Sequence, residues 1–87
     1  MALSDDFSAA QLRVKQLPRT PEAAELLELY ALFKQASVGD VQGERPGMLD
    51  FKGRAKFDAW SGKRGVGRDA AMQSYVDLVA KLAAKYT

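Results

Sequence analysis

The stretch Val38–Trp60, VGDVQGERPGMLDFKGRAKFDAW, follows two predicted helices, holds a long connection and a third helix, and is followed by a fourth. It holds the turn pairs Gly39–Asp40 and Pro46–Gly47, so roughly its first dozen residues indicate an irregular connection. Asp50 can cap the helix that follows, because its carboxylate can accept hydrogen bonds from the first free backbone N–H groups. A connection of this length exceeds what antiparallel neighbours usually need, and it can carry the chain across a bundle.

Two helices are predicted before this stretch. The first runs from about Asp5 to Gln16, with Ser4 as its N-cap. The second runs from Pro21, which suits a first helical position, to about Ser37, with Thr20 as its cap. This second helix is apolar over most of its circumference, which predicts that it is covered on more than one side.

Two further helices follow Asp50. The third, Phe51 to about Trp60, is short and basic, whereas the fourth, about Arg68 to Tyr86, carries the strongest apolar pattern of period 3.6 in the chain. Met48 and Leu49 are expected to pack onto the core ahead of the third helix. The prediction is an all-α protein, a four-helix bundle with a long crossover loop between helices 2 and 3, formed by a single domain over residues 1–87.

Composition excludes several kinds of chemistry. The 87 residues include no cysteine and no histidine, which rules out disulfides, Ser-His-Asp and Cys-His catalysis, and zinc sites of His and Cys. The net charge of +2 is too small to indicate a general nucleic-acid binder. No apolar run approaches the roughly 20 residues that span a bilayer, and the N-terminal residues lack the features of a secretory signal. We therefore expect a cytoplasmic protein.

Charged and apolar side chains share faces on two of the helices. Leu27, Tyr30 and Lys34 place hydrocarbon, phenol and ammonium in line on the second helix. This order suits a ligand with one hydrophobic end and one charged end. Lys52 and Lys56 lie one turn apart on the third. A single lysine is usually solvated surface, and an aromatic residue on an apolar helix is usually core. Their joint placement favours a ligand that is anionic and flat.

The pattern VGD-x-x-x-x-RPGMLDFKG-x-AK-x-DAW resembles the signature of the acyl-CoA-binding protein family. LYALFKQASVGD (29–40) and DAAMQSYVDLVAKL (69–82) resemble the motifs on either side, so the resemblance covers essentially the whole chain. It implies an up-down-down-up order of helices. It also implies a protein that is not an enzyme, binds medium- and long-chain acyl-CoA esters, and acts as their intracellular carrier and pool former in fatty acid metabolism.

The resemblance also implies which residues contact the ligand. Four lysines from three helices would hold the phosphates of coenzyme A, chiefly the ribose 3′-phosphate, together with the Tyr30 hydroxyl. Phe33 stands where the family usually has a tyrosine near the adenine, and Gln11 where it often has alanine. Tyr75 would lie along the coenzyme A moiety. The expected ligand-binding residues are Phe7, Gln11, Lys15, Leu27, Tyr30, Phe33, Lys34, Lys52, Lys56 and Tyr75.

No cofactor or metal is expected, since Asp50 is more simply a cap and Asp58 a solvated helix residue. The expected partners are the acyl-CoA ligand and, transiently, membranes and acyl-CoA-using enzymes, for a protein that is a monomer and does not bind nucleic acid. Three alternatives remain open. The first is a thioesterase or acyltransferase, although no nucleophile–base pair is visible in the sequence. The second is a helical protein-interaction module or a regulatory peptide precursor. The third is nucleic-acid binding through a basic set of residues, Lys52, Arg54, Lys56, Lys63 and Arg64.

Overall fold

A computed structural model describes residues 2–87 of the chain. It contains four α-helices, α1 (Leu3–Lys15), α2 (Ala23–Ser37), α3 (Phe51–Ser61) and α4 (Arg68–Lys85). The prediction of an all-α fold with four helices is confirmed. Within residues 2–87 no helix combines the length and the apolar character needed to cross a membrane.

The helices pack as an open series, α1 on α4, α4 on α2 and α2 on α3. Two cation–π contacts show how α2 and α3 are oriented. The Lys56 amine lies 5.4 Å from the centre of the Tyr30 ring, and the Lys34 amine lies 4.9 Å from that of Trp60. Because residue numbers rise together in both pairs, α2 and α3 run parallel. The crossover loop, residues 38–50, therefore returns the chain along the length of the bundle.

The last helix, α4, runs antiparallel to α2. Near the end of α4, the Tyr86 hydroxyl donates a hydrogen bond to Glu25 and accepts one of 3.3 Å from the backbone N–H of Glu22. At the other end of α2, the Gln35 amide donates a 2.8 Å bond to the carbonyl of Val66, just before α4 begins. These contacts join opposite ends of the two helices.

Aromatic contacts show how α1 lies relative to α2 and α4. The Phe7 ring lies 5.1 Å from the Tyr75 ring, edge to face, and 6.1 Å from the Phe33 ring. Phe7 is in the first half of α1 and Phe33 is late in α2, whereas Lys15 at the end of α1 lines one cavity with Leu26 early in α2, so these two helices are antiparallel. The order is up-down-down-up, as the resemblance implies. The core between the helices includes Leu29, Leu32, Val79 and Leu82.

Two of the predicted helix starts are wrong. α1 begins at Leu3, so Ser4 lies inside the helix and does not cap it. α2 begins at Ala23, two residues after Pro21, and its cap is Glu22, not Thr20. Glu22 and Glu25 form a capping box in which each carboxylate accepts from the other residue's backbone N–H. This reciprocal pair satisfies two free N–H groups, whereas a threonine hydroxyl at position 20 would satisfy one.

The expectation that Met48 and Leu49 pack onto the core is also wrong. Their exposed fractions are 76% and 90%, and that of Phe51 is 74%. The capping role predicted for Asp50 is confirmed, since its carboxylate accepts a 3.0 Å hydrogen bond from the backbone N–H of Gly53. The segment is thus held by the helix cap, and its apolar side chains face solvent.

Polar contacts fasten the crossover loop at two points. At its start, the Asp40 carboxylate accepts hydrogen bonds from the Gln35 amide at 2.8 Å and from the Gly65 backbone N–H at 2.9 Å. The hydrogen bond from Gly65 has the larger effect and that from Gln35 the smaller, and both lower the pKa of Asp40. Farther along, Arg45 forms a two-pronged ion pair with Asp58 of α3, at 2.9 and 2.7 Å, which lowers the pKa of that carboxyl. These polar contacts give the loop a defined path over α3.

Candidate ligand-binding site

The largest cavity described, of about 580 Å³, opens between α1, the α1–α2 loop and α2. Leucine and valine side chains from α1 and α2 form its floor, and one residue each from α3 and α4 closes its sides. Five of the residues predicted from the sequence line it: Lys15, Tyr30, Phe33, Lys56 and Tyr75. Residues that are distant in the sequence thus meet around one opening.

The polar part of this cavity is cationic. Lys15 at the end of α1, Arg19 in the following loop and Lys56 of α3 all line it. The Lys56 amine is held over the Tyr30 ring, so it is directed toward the cavity before any ligand arrives. Several N–H donors around one opening suit an anion with many oxygens, since hydrogen bonds between charged groups are stronger than neutral ones.

One wall of the cavity is aromatic. Phe33 is 36% exposed, and its ring is backed by the buried Phe7 at an interplanar angle of 30°. Phe7 in turn contacts the edge of Tyr75 and so supports the wall without lining the cavity. Burial raises the pKa of Tyr75 above the ordinary value for tyrosine. The exposed face of Phe33 is available to stack on a flat ring.

A second groove, of about 250 Å³, lies between α2 and α3 and is almost wholly apolar. Leu27 and Ala55 line it from the two helices, with the stem of Lys52 at its border. Leu26 and Lys56 line both this groove and the larger cavity. The cationic cavity therefore continues into an apolar groove.

Three predicted site residues lie outside both depressions: Phe7, which backs the aromatic wall, Lys34 and Gln11. The Lys34 amine rests over the ring of Trp60, whose indole N–H donates a 2.8 Å hydrogen bond to the carbonyl of Gly39. Gln11 is half-buried on α1, and its amide donates a long, 3.4 Å bond to the carbonyl of Phe7. Lys34 is one turn from Tyr30 on α2. Gln11 has its amide engaged with its own helix.

Sequence reasoning missed the wall formed by the α1–α2 loop. Arg19, Thr20 and Pro21 line the cavity there, although the pattern had indicated only the start of a helix. It also missed Leu26, which is 44% exposed where the two depressions join. The apolar character of α2 on nearly every side gave no signal of which side faces an opening. A cation in the short loop between two helices, Arg19, was the one signal available.

The chain is similar to known proteins along nearly all of its length. Residues 4–79 match the family model described as acyl CoA binding protein. The chain is 50% identical to an acyl-CoA-binding protein homolog of Drosophila melanogaster over 97% of this chain and 98% of that one. It is 52% identical to acyl-CoA-binding protein homolog 1 of Caenorhabditis elegans, over 99% and 98% of the two chains. These matches extend across both depressions and the crossover loop.

Solved structures give the same result for the fold. The crystal structure of acyl-CoA-binding protein 2 from Oryza sativa superposes with a TM-score of 0.92 at 37% identity, over 97% of this chain and 93% of that one. A crystal structure of the corresponding protein from Moniliophthora perniciosa gives a TM-score of 0.84 at 39% identity, over 99% and 92%. The four-helix arrangement described above is therefore shared with structures of this family.

Proposed function

The chain belongs to the acyl-CoA-binding protein family, and from that premise we propose that it binds acyl-CoA esters and carries them without catalysing a reaction on them. The observation that carries the proposal is the continuity of the cationic cavity with the apolar groove through Leu26 and Lys56. A ligand that is a phosphorylated nucleotide at one end and a hydrocarbon at the other matches this surface from end to end.

The nucleotide end is assigned to the larger cavity. The adenine stacks on the exposed face of Phe33, and the ribose 3′-phosphate accepts hydrogen bonds from the Tyr30 hydroxyl and the Lys56 amine. Lys34 joins them by leaving the Trp60 ring, a favourable exchange because a bond to phosphate is worth more than an exposed cation–π contact of about 0.5–1 kcal/mol. Lys15 adds a further positive charge at the border of the cavity.

The acyl chain is assigned to the groove between α2 and α3, against Leu27 and Ala55. Each methylene removed from water contributes up to about 0.8 kcal/mol, so medium and long chains should bind more tightly than short ones. Lys52 covers the border of the groove with its hydrocarbon stem and keeps its ammonium in water. Tyr75 and Phe7 support the coenzyme A moiety from beneath through the aromatic wall.

Carrying also requires delivery. Met48, Leu49 and Phe51 expose apolar side chains in one short segment of the chain, next to Lys52 of the groove. We assign to this segment the transient contact with membranes and with enzymes that use acyl-CoA, since exposed apolar residues grouped in this way mark interaction sites. We also propose that the protein acts in the cytoplasm as a monomer and that each of these contacts is short-lived.

Titration calorimetry with palmitoyl-CoA, free coenzyme A and palmitate tests the proposal. Palmitoyl-CoA should bind far more tightly than either part, because only the ester occupies both depressions. Lys56→Gln should weaken its binding by roughly tenfold, whereas Lys81→Gln, the same change on α4 outside both depressions, should leave it unchanged. Equal affinity for palmitate and palmitoyl-CoA would sink the proposal. Release of free thiol during incubation with palmitoyl-CoA would show an enzyme instead of a carrier.

A further inference from the structure

Arg19 brings a positive charge to the cavity that no role above uses. It lies in the loop between α1 and α2 and lines the cavity together with Lys15 and Lys56. Within residues 2–87, the salt bridges join Arg45 to Asp58, Lys63 to Glu28 and Lys85 to Glu25, and none involves Arg19. Its charge is thus free to meet an anion.

The side chain is nevertheless held in place. Its guanidinium carbon lies 5.3 Å from the centre of the Tyr86 ring. That ring is itself fixed, since it is 7% exposed and its hydroxyl is hydrogen-bonded to Glu25 and to the backbone of Glu22. A long side chain that rests on a rigid ring loses less conformational freedom on binding than one that moves freely in solvent. Tyr86 therefore acts as a platform that positions Arg19.

The position of Arg19 along the cavity points to one part of the ligand. Phe33 lies at one end of the cavity wall on α2 and Leu26 at the other, seven residues or about 10 Å away. Arg19 belongs to the loop that precedes α2, at the Leu26 end, where the apolar groove begins. With the adenine on Phe33 and the acyl chain in the groove, the atoms that pass this end are the diphosphate and the arm attached to it.

We propose that Arg19 binds the diphosphate of coenzyme A and that Tyr86 is its positioning residue. The proposal rests on the proposed function and adds a subsite to it. A guanidinium suits this task because its planar fork of donors can bind two phosphate oxygens at once while its face stacks on an aromatic ring. A lysine at the same place would keep the charge and lose the paired geometry.

Calorimetry with two ligands tests the assignment. One ligand is palmitoyl-CoA, and the other is its 3′-dephospho analogue, which keeps the diphosphate. Arg19→Gln should weaken the binding of both ligands by the same factor, roughly tenfold. Lys56→Gln should weaken palmitoyl-CoA more than the analogue. Arg13→Gln is the matched control, because Arg13 lines the cleft between α1 and α4 and not the cavity.

Variants of the platform separate positioning from stability. Tyr86→Phe keeps the ring and should keep most of the affinity, whereas Tyr86→Leu should lose affinity in the wild-type background and lose no more in the Arg19→Gln background. Arg19→Lys leaves Tyr86 untouched and should give an intermediate affinity for both ligands. Thermal unfolding of each variant checks that the measurement is made on folded protein.

The outcomes are distinct. Wild-type affinity in Arg19→Gln for both ligands would overturn the assignment. A loss confined to palmitoyl-CoA would overturn it too, because it would place Arg19 on the 3′-phosphate. If the wild-type protein bound neither ligand, the proposed function would fail. Binding by the wild type with no effect of Arg19 would refute only the present assignment.

Discussion

Filling the groove between α2 and α3 should remove the preference for long acyl chains. Ala55 lines this groove of about 250 Å³ together with Leu27 of the facing helix. A leucine at position 55 would place a branched side chain where the proposal places methylenes of the ligand. The change lies outside the cationic cavity, so it should not affect the nucleotide end.

The size of the effect follows from the shape of the groove. It is open to solvent along one side, so each bound methylene keeps part of its surface in water. Half of the full burial value gives about 0.4 kcal/mol per methylene. Going from octanoyl-CoA to palmitoyl-CoA adds eight methylenes, worth about 3 kcal/mol or roughly 200-fold in affinity. In Ala55→Leu most of this gain should vanish, while octanoyl-CoA should bind within about threefold of the wild type.

Calorimetric titration with acyl-CoA esters of 4 to 18 carbons measures the slope of binding free energy against the number of methylenes. Ala24→Leu is the matched control, because Ala24 is exposed on α2 and outside both depressions. It should reproduce the wild-type slope. If Ala55→Leu showed the wild-type gain per methylene, the acyl chain would lie elsewhere and the groove would have no part in binding.

Three further predictions concern stability and the ligand response. Lys85, then Tyr86, lower the pKa of Glu25 from 4.5 to about 2, so its stabilising effect is complete above pH 4.5 and is lost as the pH falls toward 2. Chemical denaturation of Glu25→Gln should show a weaker loss of stability across that range, and parallel losses in both proteins would contradict this. Gln35→Ala removes a buried side-chain amide that donates hydrogen bonds to two loops. It should therefore lower the free energy of unfolding by about 2–4 kcal/mol. A loss of less than about 1 kcal/mol would contradict the packing described. Binding of palmitoyl-CoA should change the fluorescence of Trp60 as the Lys34 amine leaves its ring, and an unchanged response in Lys34→Met would refute that movement.

Local signals in the sequence were the most dependable. The Asp50 cap depends on a backbone N–H three residues away, and the structure has that bond. The apolar face of α4 extends through residues such as Tyr75, Val79 and Leu82, all of which are buried. Both features need only neighbours on the same helix, or the spacing of residues along it. The fold class followed from them because such faces must be covered by one another.

Features that depend on distant partners could not be predicted in this way. Glu22, not Thr20, caps α2, and the matching Glu25 is held in addition by Tyr86 from the far end of the chain. Apolar character alone suggested that Leu49 would be buried, yet burial depends on whether another surface covers it, and here none does. Arg19 gains its place at the cavity from the Tyr86 ring. No spacing within either segment announces that contact.

The order in which the helices pack has a consequence for how the chain folds during its synthesis. Two of the three earlier helices, α1 and α2, rest on α4, which leaves the ribosome after all the others. Until Arg68 and the residues beyond it have emerged, the faces of α1 and α2 that pack on α4 stay uncovered, although α2 can already pack on α3. Uncovered apolar faces favour aggregation and chaperone binding. A chain truncated within α4 would therefore be prone to aggregate, and would not simply be a carrier of lower affinity.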